Sequence, residues 1–383
     1  MISRADVAVV GGGLTGAAAA VAAAAAGLST LHFTPSAPPD RRTSALMLPS
    51  LDFLKQAGLT GEPSSIGAPL RQIRLIDATR RLVRAGETLF DAAEFGFDAF
   101  GYNIPNAVLL AQFAARAAKL PSLTVIEAPA SQFIRESGGF ALSAGGERFE
   151  ATLLVGADGR GSAVRDFAAI AARIRKYRQA ALVADLTLER PLGDCSVEFH
   201  YENGPFTLVP AGGEKANLVW IDRREVLEAA SHRASLEAAI LARSSRLFGA
   251  VGIAAGPHIF ELVSLAAREV AAPAILLIGE AAHAFPPIGA QGLNIGLRDV
   301  AAFGSLSAET TRDLPDWPQT LSAAYAEARR TDVARTSLMV DMLFRSLIAG
   351  FLPADVARSA GLMAMRSIPA LRRAAFEMGM GRR

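Results

Sequence analysis

The residues most able to take part in binding or catalysis lie just after the apolar run at 274–278. Gly279 and Glu280 follow this run directly, which predicts a buried strand that ends in a turn and a carboxylate. A carboxylate accepts hydrogen bonds from hydroxyl groups, so it suits a ligand that carries a polyol chain. The sequence therefore predicts a contact between Glu280 and the hydroxyls of a bound cofactor.

A turn rich in proline and glycine follows this carboxylate. Its candidate contact residues are Pro287, Gly289, Gln291, Gly292, Leu293 and Asn294. Glycine lets the backbone approach a flat ring closely, and a helix expected to begin near Leu293 presents N–H groups that have no partner inside the helix. The helix dipole stabilises negative charge at that end. The combination predicts a flavin, and an ordinary connection between a strand and a helix is the alternative.

A second motif lies near the N-terminus, between a strand predicted at Asp6–Val10 and an Ala-rich helix predicted at Ala17–Ala26. The loop between them has the GxGxxG spacing and contains the candidate contacts Gly11, Gly13, Leu14, Thr15 and Gly16. In this motif the first glycine allows a tight turn, the second lets a pyrophosphate approach the backbone, and the third lets the helix pack closely on the strand. The loop therefore predicts a dinucleotide site.

The next predicted strand, Ser29–Phe33, ends in a residue that departs from the usual pattern. An acidic side chain normally closes this strand and binds the ribose hydroxyls, but Thr34 occupies the position. We therefore expect ribose recognition to be weaker or to come from another part of the chain.

A third motif, Asp158-Gly159, follows an apolar strand that ends at Val155. Asp-Gly is a common turn dipeptide, so a plain turn is the alternative reading of this pair alone. The three motifs follow one another at intervals of roughly 140 and 120 residues, in an order that is hard to obtain by chance. Together they favour FAD, bound non-covalently.

With these motifs the chain resembles the single-component flavoprotein aromatic hydroxylases of the p-hydroxybenzoate hydroxylase type. The segments Asp40–Leu46, Gly204–Pro210 and Leu218–Trp220 are similar to the UbiH-type hydroxylases of ubiquinone biosynthesis. The resemblance covers nearly the whole chain. Two departures stand out, because Glu280 replaces the usual Asp and Thr34 replaces the usual Glu.

The resemblance implies an α/β fold with a discontinuous Rossmann-like FAD-binding domain, an inserted antiparallel-sheet substrate domain and C-terminal helices. We assign 1–70, 101–175 and 267–330 to the FAD-binding domain, 71–100 and 176–266 to the substrate domain, and 331–383 to the helical region. The inserted sheet is expected to cover the flavin.

Hydrophobic periodicity predicts the elements between the motifs. Strands are expected at Ser122–Pro129, Phe133–Glu136, Gly139–Ala144 and Arg148–Val155, and a hairpin at Arg71–Asp77 and Arg81–Ala85 followed by an irregular stretch at Glu87–Asn103. The second sheet should contain Gln179–Leu188, Cys195–Tyr201, Gly204–Pro210, Lys215–Asp222 and His258–Ala266, with helices at Asn106–Lys119 and Arg224–Leu247.

The resemblance also implies the reaction. NAD(P)H would reduce the FAD, O2 would react at the flavin, and one oxygen atom would pass to the ring of a polyprenylated phenol or quinol precursor of ubiquinone. Catalytic residues are not assigned. His283 is expected to pack beneath the flavin loop and not to act as a base, Arg42 to reach the cofactor, and Phe206 and Pro210 to line the pocket or belong to the core. A flavin-dependent lipid reductase or dehydrogenase and a non-catalytic member of a quinone-biosynthesis complex stay open as alternatives.

Composition agrees with a globular cytoplasmic enzyme. The chain has 383 residues, of which 51% are hydrophobic and 20% charged, so disorder is not expected. The single cysteine, Cys195, excludes an internal disulfide, and no Cys/His spacing indicates a metal site. The first strand begins within a few residues of Met1, which leaves no room for a signal peptide.

Charge is concentrated at the C-terminus. Residues 329–383 contain ten Arg, four acids and six of the eight Met, but they lack any nucleic-acid-binding pattern. Met339, Leu343, Leu347 and Phe351 recur at four-residue spacing as an apolar stripe. The stripe predicts either peripheral docking on the cytoplasmic membrane or a quinone-biosynthesis complex, or packing against the body of the protein.

Overall fold

The computed structural model describes residues 3–81, 84, 86–287, 289–348, 361, 364 and 368–380. In chain order, its strands are β1 (Ser3–Val10), β2 (Thr30–Phe33), β3 (Thr43–Met47), β4 (Ala68–Leu70), β5 (Gln72–Asp77), β6 (Glu87–Asp91), β7 (Gly101–Pro105), β8 (Leu123–Ile126), β9 (Ser131–Glu136), β10 (Gly139–Ala144), β11 (Glu147–Gly156), β12 (Ala172–Leu188), β13 (Cys195–Tyr201), β14 (Gly204–Pro210), β15 (Lys215–Arg223), β16 (Val251–Ala267), β17 (Ala271–Ala272), β18 (Ile275–Leu277) and β19 (His283–Ala284). The α-helices are α1 (Leu14–Ala25), α2 (Leu48–Gln56), α3 (Asn106–Ala117), α4 (Ala163–Phe167), α5 (Arg224–Ala230), α6 (Arg233–Arg243), α7 (Gln291–Glu309), α8 (Trp317–Ile348) and α9 (Pro369–Met380).

The first sheet, here called the cofactor sheet, has the order β17-β18-β11-β1-β2-β8, with β9 and β10 attached to β11. Strands β2, β1, β11 and β18 run parallel to one another, so their carboxyl ends meet at one edge. Parallel strands buried on both faces require nearly continuous apolar sequence, and Val7, Val9 and Leu153 are fully buried. Small side chains let α1 pack closely on this sheet and on α7, since most of its residues are Ala.

The second sheet, here called the roof sheet, has the order β19-β16-β12-β15-β14-β13-β5-β6. Helices α5 and α6 cover one face, where Leu227, Leu236 and Ile240 pack against Phe206 and Trp220. A small third sheet has the order β3-β7-β4. It contacts the roof sheet where β4 meets β14, and it contacts α7 through β3. The α/β architecture is therefore as predicted.

The strands divide between the two sheets much as the predicted domains divide the chain. The cofactor sheet takes strands from 3–156 and 271–277, and the roof sheet takes strands from 72–91 and 172–284. The domain boundaries themselves stay a prediction. Two strands of the roof sheet extend into segments assigned to the FAD-binding domain. They are β12, which begins at Ala172, and β19.

Several elements differ from their predictions, and β12 and β16 begin at Ala172 and Val251, seven residues before the predicted Gln179 and His258. The partner of β5 is β6, in a stretch predicted to be irregular, whereas most of Arg81–Ala85 lies outside the described residues. The helix predicted at Arg224–Leu247 is two helices, because the Ser231 hydroxyl donates to the carbonyl of Glu228 and ends the first helix there. The helix expected near Leu293 begins two residues earlier, at Gln291.

The C-terminal helix α9 packs against the body of the protein. The Phe376 ring stacks on Phe95 with ring centroids 4.0 Å apart, and Arg372 pairs with Glu94. Phe376 and Phe95 join a cluster that includes Met47 and Ala290, so α9 packs at one end of the region around the glycine turn. None of the described helices is both long enough and apolar enough to span a bilayer.

Candidate cofactor and active site

The three sequence motifs lie close together in space, because glycines at their contact points leave no room for a side chain. A side chain at Gly11 would overlap the carbonyl of Ala157, and one at Gly16 would overlap the carbonyl of Gly11. On the other side of the loop, an added Cβ at Gly296 would lie 2.6 Å from Cγ2 of Thr15. The GxGxxG loop therefore contacts both the Asp-Gly motif and the segment 279–296, which carries Glu280 and the glycine turn.

A second group of glycines faces open space instead of backbone. An added Cβ would meet nothing within 4 Å at Gly13, Gly159, Gly289 and Gly292. These positions outline a cradle along the carboxyl edge of the cofactor sheet. Open space at Gly13, between the two close-packed glycines, is what a pyrophosphate needs.

Asp158 supplies an unused acceptor at this cradle. Its Oδ2 accepts a hydrogen bond from the N–H of Val164 at 3.2 Å, while its Oδ1 is buried and has no partner among the described residues. Buried polar atoms in proteins are nearly always paired, so an unpaired carboxylate oxygen indicates a ligand that donates a hydrogen bond. The cradle and this oxygen together fit FAD.

His32, which the sequence reading missed, holds the glycine loop from below. Its Nε2 lies 2.9 Å from the carbonyl oxygen of Gly11, so Nε2 carries the hydrogen. Burial lowers the pKa of His32, and the bond to Gly11 opposes that shift only in part, which keeps the ring neutral. A polar residue inside the apolar strand β2 was the available signal. Thr34 packs against Gly12 and thus contacts the same loop.

Glu280 and Arg42 lie on the rim of the cradle. The Glu280 side chain is 55% exposed, with Oε2 3.6 Å from Nε of Arg160. The Arg42 guanidinium binds Asp40 through two bonds of 2.8 and 2.7 Å. Burial raises the pKa of Asp40, but hydrogen bonds from Arg42 and Asn106 outweigh this and lower the pKa to about 2. Arg42 is therefore already occupied by Asp40, and Glu280 remains reachable.

A buried ionic cluster supports the turn at Gly279. Asp299 on α7 accepts hydrogen bonds from the Gly279 N–H at 2.9 Å, from His283 at 2.7 Å and from Arg329 at 2.7 Å. Burial opposes ionisation, yet His283 and Arg329 lower the pKa of Asp299. His283 has no exposed side-chain surface and lies beneath the loop, as predicted. The sequence analysis did not identify Asp299 or Arg329. The available indication was an acidic residue, Asp299, on the buried side of α7.

The start of α7 is joined to β3 through the side chain of Asn294. Asn294 uses its whole amide: Oδ1 accepts from Met47 N–H and the Ser50 hydroxyl, and Nδ2 donates to the carbonyls of Ala45 and Ala290. The Asn294 side chain thus links α7 to β3, and a contact between Asn294 and the cofactor stays a prediction. The N–H groups of the first helical turn, at Gln291, Gly292 and Leu293, are the ones without helical partners.

The inner face of the roof sheet, the face opposite α5 and α6, contacts the small sheet formed by β3, β7 and β4. Phe206 belongs to the other face, where it makes edge contacts with Phe199 and Trp220, so it is a core residue and does not line the pocket. On the inner face, Asn217 accepts hydrogen bonds from Thr43 of β3 and Asn103 of β7. These bonds place the inner face directly over the small sheet. The same sheet is bonded to α7 through Asn294.

Comparisons with known proteins agree with this geometry. The sequence profile described as FAD binding domain matches residues 4–338. Ubiquinone hydroxylase UbiL of Rhodospirillum rubrum is 30% identical over 98% of this chain and 90% of its own length, and 3-demethoxyubiquinol 3-hydroxylase of Escherichia coli is 28% identical over 98% of both chains.

Two solved structures share the fold at low identity. p-Nitrophenol 4-monooxygenase PnpA from Pseudomonas putida superposes with a TM-score of 0.80 at 18% identity, over 100% of both chains. Klebsiella pneumoniae HpxO, in complex with FAD and uric acid, superposes with a TM-score of 0.77 at 16% identity, over 99% of this chain and 97% of that one. The second complex contains FAD, the cofactor that the cradle fits.

Proposed function

The chain belongs to the FAD-binding-domain family, and from this premise we propose that it is an FAD-dependent monooxygenase that hydroxylates the ring of a polyprenylated phenol or quinol intermediate of ubiquinone biosynthesis. The observation that supports this most strongly is the cradle itself, in which three separate motifs meet under the inner face of the roof sheet. The names of the two relatives support the substrate class.

Each motif has a separate task in this proposal. The Gly11–Gly16 loop and the N-terminus of α1 hold the pyrophosphate, while Asp158 and Glu280 accept hydrogen bonds from the ribityl chain. The backbone from Gly289 to Leu293 contacts the flavin ring. Arg42 stays a predicted cofactor contact, and its guanidinium also binds Asp40 at the rim.

The bound FAD would carry two electrons from NAD(P)H to O2 and deliver one oxygen atom to the ring. In balance, the ring C–H, O2, NAD(P)H and one proton become the ring C–OH, water and NAD(P)+. The protein orients the ring under the roof sheet and keeps water from it. NAD(P)H as the donor follows from the reaction class.

The proposal is tested with purified protein, NADH or NADPH, and a short-chain prenylated phenol. We expect oxygen uptake that depends on the phenol, with a product heavier by one oxygen atom in mass spectrometry. Incorporation of 18O from 18O2 identifies the oxygen source. A lipid reductase would instead consume NAD(P)H without labelling the product, and a non-catalytic complex member would show neither activity despite bound flavin. Either result would reject hydroxylation.

We also propose that this cytoplasmic enzyme docks on the membrane surface through its C-terminal region. A polyprenyl tail buries a large apolar area, so its transfer through water would be very unfavourable at about 25 cal/mol per Å2. The predicted stripe stays a prediction, because the side chains of Leu343 and Leu347 lie outside the described ones. On the same helix Leu338 and Met342 are 60% and 61% exposed, while Val340 and Phe344 are buried. Phe351 lies outside the described residues. Arg335 and Arg345 flank this exposed pair on α8.

A further inference from the structure

A polar pair lies on the inner face of the roof sheet, away from the cofactor motifs. Glu198 and His200 are two residues apart on β13 and therefore point to the same face. Oε1 of Glu198 lies 2.7 Å from Nε2 of His200, and Oε2 accepts a bond from the Thr207 hydroxyl at 3.3 Å. His200 is buried and Glu198 keeps a fifth of its side chain exposed. The glutamate is held from two sides and still reachable.

Strand pairing shows that this pair lies on the inner face. Glu198 is opposite Thr207 on β14, and Thr207 is opposite Val219 on β15. Cross-strand partners share a face, and Val219 lies two residues from Asn217, which bonds to β3 and β7. The neighbours Val197 and Phe199 belong to the opposite face, in the core beneath α5 and α6.

The same face also reaches the glycine turn. On its other side, Glu198 is opposite Leu75 of β5. Two residues earlier on that strand, Ile73 packs against the cluster that contains Met47 and Ala290. Because Ala290 immediately precedes α7, this cluster connects the strand next to Glu198 with the glycine turn.

The charges on the strands next to Glu198 are one-sided. Strands β13 and β14 contain no Arg or Lys, and Arg74 of β5 lies on the opposite face, where it pairs with Glu87. The inner face offers the carboxylates of Glu198 and Asp185 as acceptors, the latter bonded to Asn217 at 2.7 Å. A ligand that carries its own carboxylate would be repelled by Glu198, and the described residues of β13, β14 and the inner side of β5 offer it no Arg or Lys.

We propose that Glu198, held by His200 and Thr207, accepts the hydrogen bond of the substrate's ring hydroxyl and selects a neutral phenol over a carboxylated one. This inference rests on the proposed function. An ionised carboxylate accepts up to about four hydrogen bonds, and Glu198 uses two among the described residues. The remaining acceptor positions take the phenol O–H, which increases the electron density of the ring that accepts oxygen.

The test uses two probes that differ by one carboxylate, 2-prenylphenol and 3-prenyl-4-hydroxybenzoate. Their binding is measured by the change in flavin absorbance, and their turnover by product formed per NAD(P)H consumed. We expect the wild type to bind the phenol at least about 10-fold more tightly than the acid. Glu198→Gln keeps the shape but loses the charge, so we expect about 10-fold weaker phenol binding, lower coupling and a reduced preference against the acid.

Two further variants complete the experiment. His200→Gln should weaken phenol binding less than Glu198→Gln, because it loosens the carboxylate without removing it. Glu214→Gln changes an exposed glutamate between β14 and β15 and should match the wild type. Flavin content and melting temperature report whether each variant folds.

The outcomes separate the two proposals. A wild type that hydroxylates the phenol, together with a Glu198→Gln variant of equal affinity, coupling and preference, overturns the role of Glu198 alone. A wild type that transfers no oxygen to either probe, and whose flavin absorbance neither probe changes, overturns the proposed function and this inference with it.

Discussion

Gly13 and Gly16 stand three residues apart in one loop, yet they have different tasks. Gly13 has extended backbone that any residue adopts, and its side-chain position is open. We therefore expect Gly13→Val to leave the melting temperature of the flavin-free protein nearly unchanged and to abolish FAD binding, because the branched side chain occupies the place of the pyrophosphate. Flavin absorbance per protein and thermal melting measure the two effects.

Gly16→Val is the matched comparison. Its side chain would overlap the Gly11 carbonyl, so the flavin-free protein itself should lose about 1–3 kcal/mol of stability. If Gly13→Val purified with wild-type flavin content, the loop would not hold the pyrophosphate.

Asp299 gives a prediction about acid stability. In Asp299→Asn, the buried Arg329 keeps only Asp332 as a charged partner, and breaking a buried ion pair costs about 3–5 kcal/mol. The pKa of Asp299 is lowered in the folded protein, so its contribution is present above the ordinary Asp pKa of about 3.9 and is lost as pH falls through the lower folded value. The stability gap between wild type and variant should therefore be full at pH 7 and shrink on acidification below about pH 4.

Urea unfolding across pH 3–7 measures this gap. Asp313→Asn, at an exposed position, should show no gap at any pH. A constant difference for Asp299→Asn at all pH values would mean that the carboxylate charge is not what stabilises the Gly279 turn.

At the scale of elements, α9 is the helix with the most to test. Its Phe376 stacks on Phe95 and lies near Phe97 and Phe100. Phe376→Ala should destabilise the docked helix by about 2 kcal/mol, since the ring is half-buried and each aromatic contact adds about 0.5–1.5 kcal/mol. Limited proteolysis should then cleave α9 faster, and flavin fluorescence should change because the cluster reaches Ala290.

Glu377→Ala is the control for this helix, since Glu377 is exposed on the same turn. It should leave both the cleavage rate and the fluorescence as in the wild type. Unchanged proteolysis in Phe376→Ala would show that the aromatic stack does not hold α9 in place.

At the scale of the whole molecule, the prediction concerns the membrane surface. The segment 329–383 carries a net charge of +6, from ten Arg and four acids, and each basic residue near an anionic leaflet adds about 1 kcal/mol. We expect the full chain to float with anionic liposomes at low salt, and Leu338→Ser with Met342→Ser to reduce the floating fraction strongly. Failure of the wild type to float would leave a protein partner as the route for a polyprenyl substrate.

A matched control exists for this experiment. Leu314→Ser changes an apolar residue that is 56% exposed on another part of the surface. It should float like the wild type. Equal loss in both variants would indicate that general surface hydrophobicity, and not the α8 surface, controls binding.

The sequence alone determined the features that local chemistry controls. The bounds of β10, β13 and β14 agree with their predictions to the residue, because alternating side chains and glycine turns act within a few residues. The GxGxxG loop, the later glycines and the family resemblance came from motif spacing, and the FAD-binding family was confirmed. The prediction of one helix at Arg224–Leu247 was wrong, because the Ser231 hydroxyl bonds to the backbone carbonyl of Glu228 where the first helix ends.

Only the tertiary structure decided which residues meet. Asp299 and Arg329 are 30 residues apart, His32 reaches back to Gly11 across 21 residues, and no local pattern predicts such pairs. Strand pairing also decided that Phe206 faces the core and that Glu198 lies on the inner face of the roof sheet. The physical reason is that register determines the face of every residue in a strand, and register is set by partners that are distant in sequence.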